Sequence, residues 1–312
     1  MGRVAVATGT GAPADVISLV ALDVATPGPG QVLVEVAAAA VNHSELLALK
    51  GGPYADGLTF PVSLGYEGAG IVVAVGSGAT ATVGDRVAWA PSPGACADRA
   101  IVPYVLLVPV PDALDLVDAA RVLTAGVTAR LLADLTPVAG RAALVWGAGG
   151  AVGRALTHVL AAEGADVTGV VGSAGRHVAA GRVLDRSSVD IAEALGRTMD
   201  IVYDPVGATT YATDLAVLRH GGHLIGYGEL SGALPVVRLD DLMVNGVFVT
   251  KFGGGGPDFT LGDLRRIGAE ALAAAVDEPA RIAVGADFRL DDVVAAYEHL
   301  GGTPRGKVVV TP

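Results

Sequence analysis

The chain has 312 residues, room for more than one hydrophobic core, and 52% of them are hydrophobic while only 4% are aromatic, so the core must be built from Val, Leu, Ala and Ile, as in a mostly parallel sheet covered by helices. A formal net charge of −11 sets the chain against phosphate backbones and anionic lipid, because nucleic-acid binders release counterions with a basic face. The single cysteine, Cys96, excludes a disulfide framework and a zinc site of several thiolates, and the lack of a signal-length apolar leader or of any run of ~18 uncharged apolar residues predicts a soluble, cytoplasmic protein.

From Arg3 to about Pro109 the sequence reads as short β runs with turn punctuation: GRVAVA, ISLVAL, GQVLVEV, GAGIVVAVG, DRVAWA, ADRAIVP and VLLVPV, interrupted by the helical NHSELLALKG. Near Pro111 the texture changes to alternating units. A helix is predicted from Asp118 to Leu135, a strand from Ala142 to Trp146, a helix from Ala151 to Glu163 and a strand from Asp166 to Val171. Strands at Asp200 to Tyr203, His223 to Tyr227 and Val247 to Thr250 continue the series, with helical Ile191 to Gly196 and Thr209 to Arg219 between them. This βαβ alternation predicts an α/β fold with a doubly wound parallel sheet. After the glycine run 253–256 come helices at Leu261 to Val276 and Asp291 to Leu300 and a closing strand at Lys307 to Val310, which are expected to fold back onto the first domain. The predicted domains are therefore 1–110, 111–252, and a return segment 253–312.

The most informative stretch is AALVWGAGGAVGRALTHVLAAEG, an apolar strand followed by Gly147, Gly150 and Gly153 and then an amphipathic helix. Gly147 lets the chain turn off the strand, Gly150 lets backbone N–H groups approach a diphosphate, and Gly153 lets the helix pack close to the sheet. Gly150, Ala151 and Val152 are thus the candidate diphosphate contacts of a dinucleotide. The next strand ends in Gly172, Ser173, Ala174, Gly175 and Arg176, where an NAD-preferring site usually offers a carboxylate to the ribose. No acid stands there. Ser173 and Arg176, with Arg186 as a third contact, are suited to a 2′-phosphate, so NADPH is the expected cofactor. For both arginines a solvated surface charge is the competing reading.

Together with VNHSELLALKG, LGYEGAGIVVAVG, VGDRVAW, IVYDPVG and the terminal RGKVVV, this stretch resembles the zinc-free branch of the medium-chain dehydrogenases/reductases, the quinone oxidoreductases and related enoyl reductases. The resemblance implies a GroES-like β-rich catalytic domain, an inserted Rossmann domain, and a chain end that returns to the first domain. It implies metal-free hydride transfer from NADPH to an activated C=C, as in an enone or enoyl thioester, or to a quinone, in the cleft between domains. It also implies a homodimer joined through the Rossmann edge strands, with Gly246 to Thr250 as the matching edge.

Zinc-dependent relatives place His before the acid where this chain has Tyr66 and Glu67, and a lone His43 cannot hold a metal. Glu67 reads as a structural acid bonded to backbone or to an arginine such as Arg86. By resemblance, Tyr54 in GGPY is the candidate proton donor and Asn42 the residue that orients substrate or donates to an oxyanion; a packing role for Tyr54 is the alternative. Leu47 stands where many quinone oxidoreductases have a second tyrosine. Thr128 resembles a threonine beside the nicotinamide, against the alternative that its hydroxyl bonds its own i−4 carbonyl. Tyr227 and Gly228 are expected at the nicotinamide ribose, and Lys251 either attracts an anion or is a rim charge. Cys96 reads as a small buried hydrophobe. The competing function is a fold that binds NADPH as a scaffold, for redox sensing or for a non-redox cyclisation.

Overall fold

A computed structural model describes residues 2–312 apart from 24, 173–177, 233–234, 238–239, 241, 244–245, 255 and 303–304. The chain begins with β1 (Gly2–Ala7), α1 (Pro13–Val16), β2 (Ile17–Leu22), β3 (Gln31–Val41), α2 (His43–Lys50) and β4 (Val62–Ser63). There follow β5 (Glu67–Val75), β6 (Arg86–Trp89), β7 (Arg99–Pro103), β8 (Leu107–Pro109) and α3 (Leu116–Ala133). The alternating region comprises β9 (Ala142–Trp146), α4 (Ala151–Ala162), β10 (Asp166–Val171), β11 (Arg182–Asp185), α5 (Ile191–Leu195), β12 (Met199–Asp204), α6 (Tyr211–Val217), β13 (Leu218–Gly226) and β14 (Phe248–Lys251). The end of the chain supplies α7 (Leu261–Asp277), β15 (Val284–Arg289), α8 (Val293–Gly301) and β16 (Lys307–Thr311).

Two compact units result: Met1–Val127 with Thr260–Pro312, and Thr128–Phe259. The first holds a seven-stranded sheet in which β15, β16, β3, β5, β6 and β8 follow one another and β7 pairs with β3, together with a three-stranded sheet of β2, β1 and β4. Strand β16, from the end of the chain, pairs antiparallel with β3, Val309 opposite Ala40. This pairing is how the terminal segment rejoins the first domain. Alternate apolar residues of β3, Val32, Val34 and Val36, enter one core with Trp89, Tyr297 and Val308, the period-two pattern of a half-buried strand.

The second unit is a six-stranded sheet in the order β11-β10-β9-β12-β13-β14, parallel at every pairing. Successive residues of its central strands serve opposite faces. Val145, Ile201 and Tyr203 enter one core, and Leu144, Trp146 and Val202 enter the other. That is why these strands read as continuous apolar runs. Strand order reverses between β10 and β12, on either side of β9, and such a switch point leaves a crevice at the carboxyl ends of the strands.

The expected α/β class and both architectures are present. The differences lie in short or mixed segments. β11 and β15 have exposed residues in half of their positions, so neither shows an apolar run. β3 continues through the alanines to Val41, where composition alone favours a helix. The helix expected to reach Arg219 stops at Val217, and β13 begins at Leu218.

Candidate active site

In the second unit, the loop between β9 and α4 has the form of a phosphate cradle. Gly147 turns at φ +63°, a conformation that suits glycine. A Cβ on Gly153 would come within 2.3 Å of the Gly147 carbonyl oxygen, so any larger residue would push α4 off the strand. The N-cap of α4 is Gly150, with no side-chain cap, and the N–H groups of Ala151 and Val152 have no acceptor among the described residues. These open donors and the positive end of the helix dipole face an anion's position.

At the end of β10, Gly172 lies beside Arg186: a Cβ there would stand 3.7 Å from Arg186 Nε. The Arg186 N–H donates to the Val171 carbonyl at 3.0 Å, and its exposed guanidinium has no partner among the described residues. Ser173 and Arg176 lie outside the described residues. Tyr227 N–H donates to the Asp204 carbonyl at 2.8 Å, and a Cβ on Gly228 would meet the Pro205 carbonyl oxygen at 2.3 Å, so the loops after β12 and β13 touch through their main chains. Burial, and then the Asp204 carboxylate, push the Tyr227 hydroxyl up. Lys251 is ion-paired with Glu229 at 2.9 Å, which leaves its charge matched. The Thr128 hydroxyl makes no hydrogen bond among the described residues; the bond to its i−4 carbonyl is not formed.

The first unit carries a buried polar knot. Glu67 and Lys307 are 0% and 7% exposed, with Oε2 and Nζ 2.8 Å apart. Lys307 Nζ also donates to Asn42 Oδ1 at 2.5 Å. Asn42 Nδ2 donates to Glu67 Oε2 at 3.1 Å and to the Ala40 carbonyl at 3.3 Å. The other carboxylate oxygen, Glu67 Oε1, accepts the Thr124 N–H at 2.6 Å. Ends of β3, β5 and β16 and the middle of α3 are thereby tied to one acid. Arg86 is not its partner and donates instead to the Leu114 carbonyl.

Glu45, three residues into α2, completes this region: it accepts the N–H groups of Asn42 and Gly65 and the Tyr297 hydroxyl at 2.8 Å. Burial raises its carboxyl even so. His43, on the exposed first turn of α2, is pushed down to about 4 by desolvation and by the Lys307 and Lys50 ammonium groups, and is neutral at pH 7. Tyr54 ends a short 3₁₀ turn, 38% exposed, and its hydroxyl has no partner among the described residues.

Residues 28–112 match the family described as alcohol dehydrogenase GroES-like domain, and residues 178–310 match zinc-binding dehydrogenase. A quinone oxidoreductase of Pseudomonas aeruginosa is 32% identical over 304 residues, covering 92% of this chain and 93% of that protein. A 2-haloacrylate reductase of a Burkholderia species is 31% identical, with 93% of each chain covered. The chain belongs to the quinone oxidoreductase branch of the medium-chain dehydrogenases/reductases. A crystal structure of Escherichia coli quinone oxidoreductase complexed with NADPH superposes with a TM-score of 0.89 at 26% identity, covering 99% of this chain and 100% of that one.

Within this branch of the medium-chain dehydrogenases/reductases, the donor set of this chain does not fit zinc. Glu67 is already held by an ammonium group and two N–H donors. Cys96 is fully buried, with its thiol pushed well up by burial and then by Glu45, whereas zinc binds a thiolate. No group of three or more His, Cys, Asp or Glu residues among the described residues could hold a metal ion. The residues do fit a dinucleotide, on the evidence of the uncapped α4 terminus and the unpaired Arg186 beside Gly172.

Sequence reasoning passed over Lys307 and Asp214. The signal for Lys307 was a charge at the start of an apolar strand. The signal for Asp214 was an acid at the i,i+3 spacing from Tyr211 and Val217, on the inward side of α6.

Proposed function

We propose that this protein is an NADPH-dependent reductase that delivers hydride to an activated C=C or to a quinone without a metal. The observation that carries the reading is the phosphate cradle, with an unpaired arginine and no acid at the end of β10. The names of the relatives and the bound NADPH of the Escherichia coli structure support it. The NADPH-binding domain in this reading spans 111–252, with 1–110 and 253–312 forming the catalytic domain.

NADPH, when bound, supplies the hydride. Ala151 and Val152, following Gly150, receive the diphosphate on their N–H groups; Gly172, Ser173, Arg176 and Arg186 hold the 2′-phosphate; Thr128, Tyr227 and Gly228 border the nicotinamide and its ribose. Lys251, paired to Glu229, braces the loop after β13. Reduction of a conjugated C=C adds hydride at the β-carbon and requires a proton at the α-carbon or the enolate oxygen. The free Tyr54 hydroxyl is the donor in this reading. Asn42 has both amide hydrogens committed to Ala40 and Glu67 and its Oδ1 bonded by Lys307, so in this reading it orients substrate by holding this polar knot in place and does not donate to an oxyanion.

In this reading the protein works in the cytoplasm as a homodimer paired along β14. That edge strand carries Phe248 at 66% exposure, with Met243 nearby at 76%, apolar area that an edge-to-edge pairing covers. Among the described residues no helix is long and apolar enough to cross a membrane.

The test is NADPH consumption with a panel of enones, enoyl thioesters and quinones, with the reduced product identified. Binding of NADPH without turnover of any class would favour a scaffold. Tyr54→Phe is expected to lower kcat by roughly 10²-fold while leaving NADPH affinity intact, because general-acid assistance is realised in the transition state. An unchanged kcat where chemistry limits turnover would reduce Tyr54 to a wall of the pocket.

A further inference from the structure

We propose that Asp214 is a neutral, protonated acid that positions the phosphate loop, so that cofactor affinity is tied to its proton. The last step rests on the NADPH reading above; the protonation does not.

Asp214 is fully buried on α6. Its Oδ1 accepts the Trp146 indole N–H at 2.7 Å, and among the described residues no donor reaches its buried Oδ2. Its acidic neighbour is Asp204, at the end of β12. Asp204 accepts the Val206 N–H at 2.7 Å, the Gly207 N–H at 3.0 Å and the Thr210 hydroxyl at 2.8 Å. The groups acting on Asp214 are Asp204 from β12, which raises its pKa, and Trp146 from β9, which lowers it; burial raises it most, and among the described residues no cation contributes. A second carboxylate there would be an unpaired charge beside an anion, at a cost the protein avoids by keeping the proton. The carboxyl is accordingly pushed up to about 9. The protonated Oδ2 becomes a donor, and Asp204 is the acidic group acting on it.

The placement gives this proton its consequence. Trp146 is the last residue of β9 and is joined directly to Gly147, where the phosphate loop begins. Asp204 is the last residue of β12, and its cage fixes the turn from Pro205 to Gly207. These two turns touch: the Pro205 ring is 3.5 Å from where a Cβ on Gly147 would stand, and the Pro205 carbonyl packs on Gly228. One buried pair of acids therefore sits under the loops that meet at the switch point. Losing the proton places two like charges beneath them, which drives the loops apart and opposes an anionic cofactor.

The experiment titrates NADPH onto the full chain by fluorescence between about pH 6 and about pH 10.5 and compares Asp214→Asn, which keeps an acceptor for Trp146 and a donor toward Asp204 but cannot ionise. The wild-type dissociation constant is expected to weaken at least tenfold relative to the variant as pH passes about 9. Parallel curves for the two proteins overturn the coupling. Infrared spectroscopy at neutral pH is expected to show the carbonyl stretch of a protonated carboxyl that Asp214→Asn lacks, and its absence from wild type overturns the protonation. Asp214→Ser, small, neutral and able to donate and accept, replaces the Asn variant should that fail to fold. A protein that binds no NADPH at any pH overturns the cofactor reading and with it the coupling, while the infrared band still decides where the proton is.

Discussion

Glu67 in the first unit and Asp214 in the second are both fully buried acids, each tying strand ends together, and they solve burial in opposite ways. Glu67 has Lys307 at 2.8 Å and two N–H donors around it, so its environment supplies a cation and completes its hydrogen bonds. Asp214 has one indole N–H, an empty Oδ2 and another acid. The neighbours decide the charge state of a buried carboxyl, because desolvation penalises both sites alike and only a cation or a full set of donors offsets it. The first unit thus keeps an internal ion pair, and the second keeps an internal proton.

The most damaging way to break this comparison is to remove the cation. Lys307→Met leaves Glu67 buried without its counter-charge and is expected to cost about 3–5 kcal/mol, the scale for breaking a buried pair by deleting one partner. Denaturant unfolding measures it. Adding Glu67→Gln to the same chain removes the orphaned charge and is expected to return most of the loss. A single-variant cost below about 1 kcal/mol would mean that the pair is not a buried ion pair in solution.

Removing the proton site has the opposite sign. The Asp214 carboxyl is raised from 3.8 to about 9 by folding, so between those values the folded state binds a proton that the unfolded chain does not. Its contribution to stability is fully present below the unfolded value and is lost as pH rises through the folded one, at up to about 1.4 kcal/mol per pH unit. Asp214→Asn carries no such dependence. Its melting temperature is expected to gain on wild type steadily from about pH 5 to about pH 8, and a gap that stays constant with pH would show that Asp214 is ionised in the native protein.

The sequence made one side of this comparison far more legible than the other. The phosphate loop reads directly because three glycines, a preceding apolar strand and a following amphipathic helix are all local, and β9 and β10 appear at their expected bounds. Glu67 was recognisable as a structural acid, but its partner lies 240 residues away by number and is brought to it only by the β16–β3 pairing. The expectation of Arg86 followed from nearness in sequence, and nearness in sequence is a poor guide to partners in an antiparallel sheet. The Trp146–Asp214 bond joins residues on a strand and a distant helix, and neither residue type alone points to the other. β11 and β15 escaped notice because exposed edge strands carry no hydrophobic period.

The smallest effect concerns a cation with no acid at all. Arg186 is exposed, beside Gly172, and unpaired among the described residues, the converse of Lys307, which is buried against a carboxylate. A charge left free in solvent costs the protein nothing and is available to a ligand, so deleting it leaves stability unchanged, unlike Lys307→Met. Because Ser173 and Arg176 share the 2′-phosphate in the proposed site, Arg186→Ala alone is expected to weaken NADPH by only about 1 kcal/mol, roughly fivefold, the low end for a charge-assisted hydrogen bond in water. The affinity for NADH, which lacks that phosphate, is expected to stay the same. Binding titrations of both cofactors on the variant measure the difference, and added salt is expected to shrink it, since an exposed pair is screened where the buried Lys307–Glu67 pair is not. Equal losses for NADPH and NADH would place Arg186 on the shared adenosine or diphosphate and take it out of cofactor discrimination.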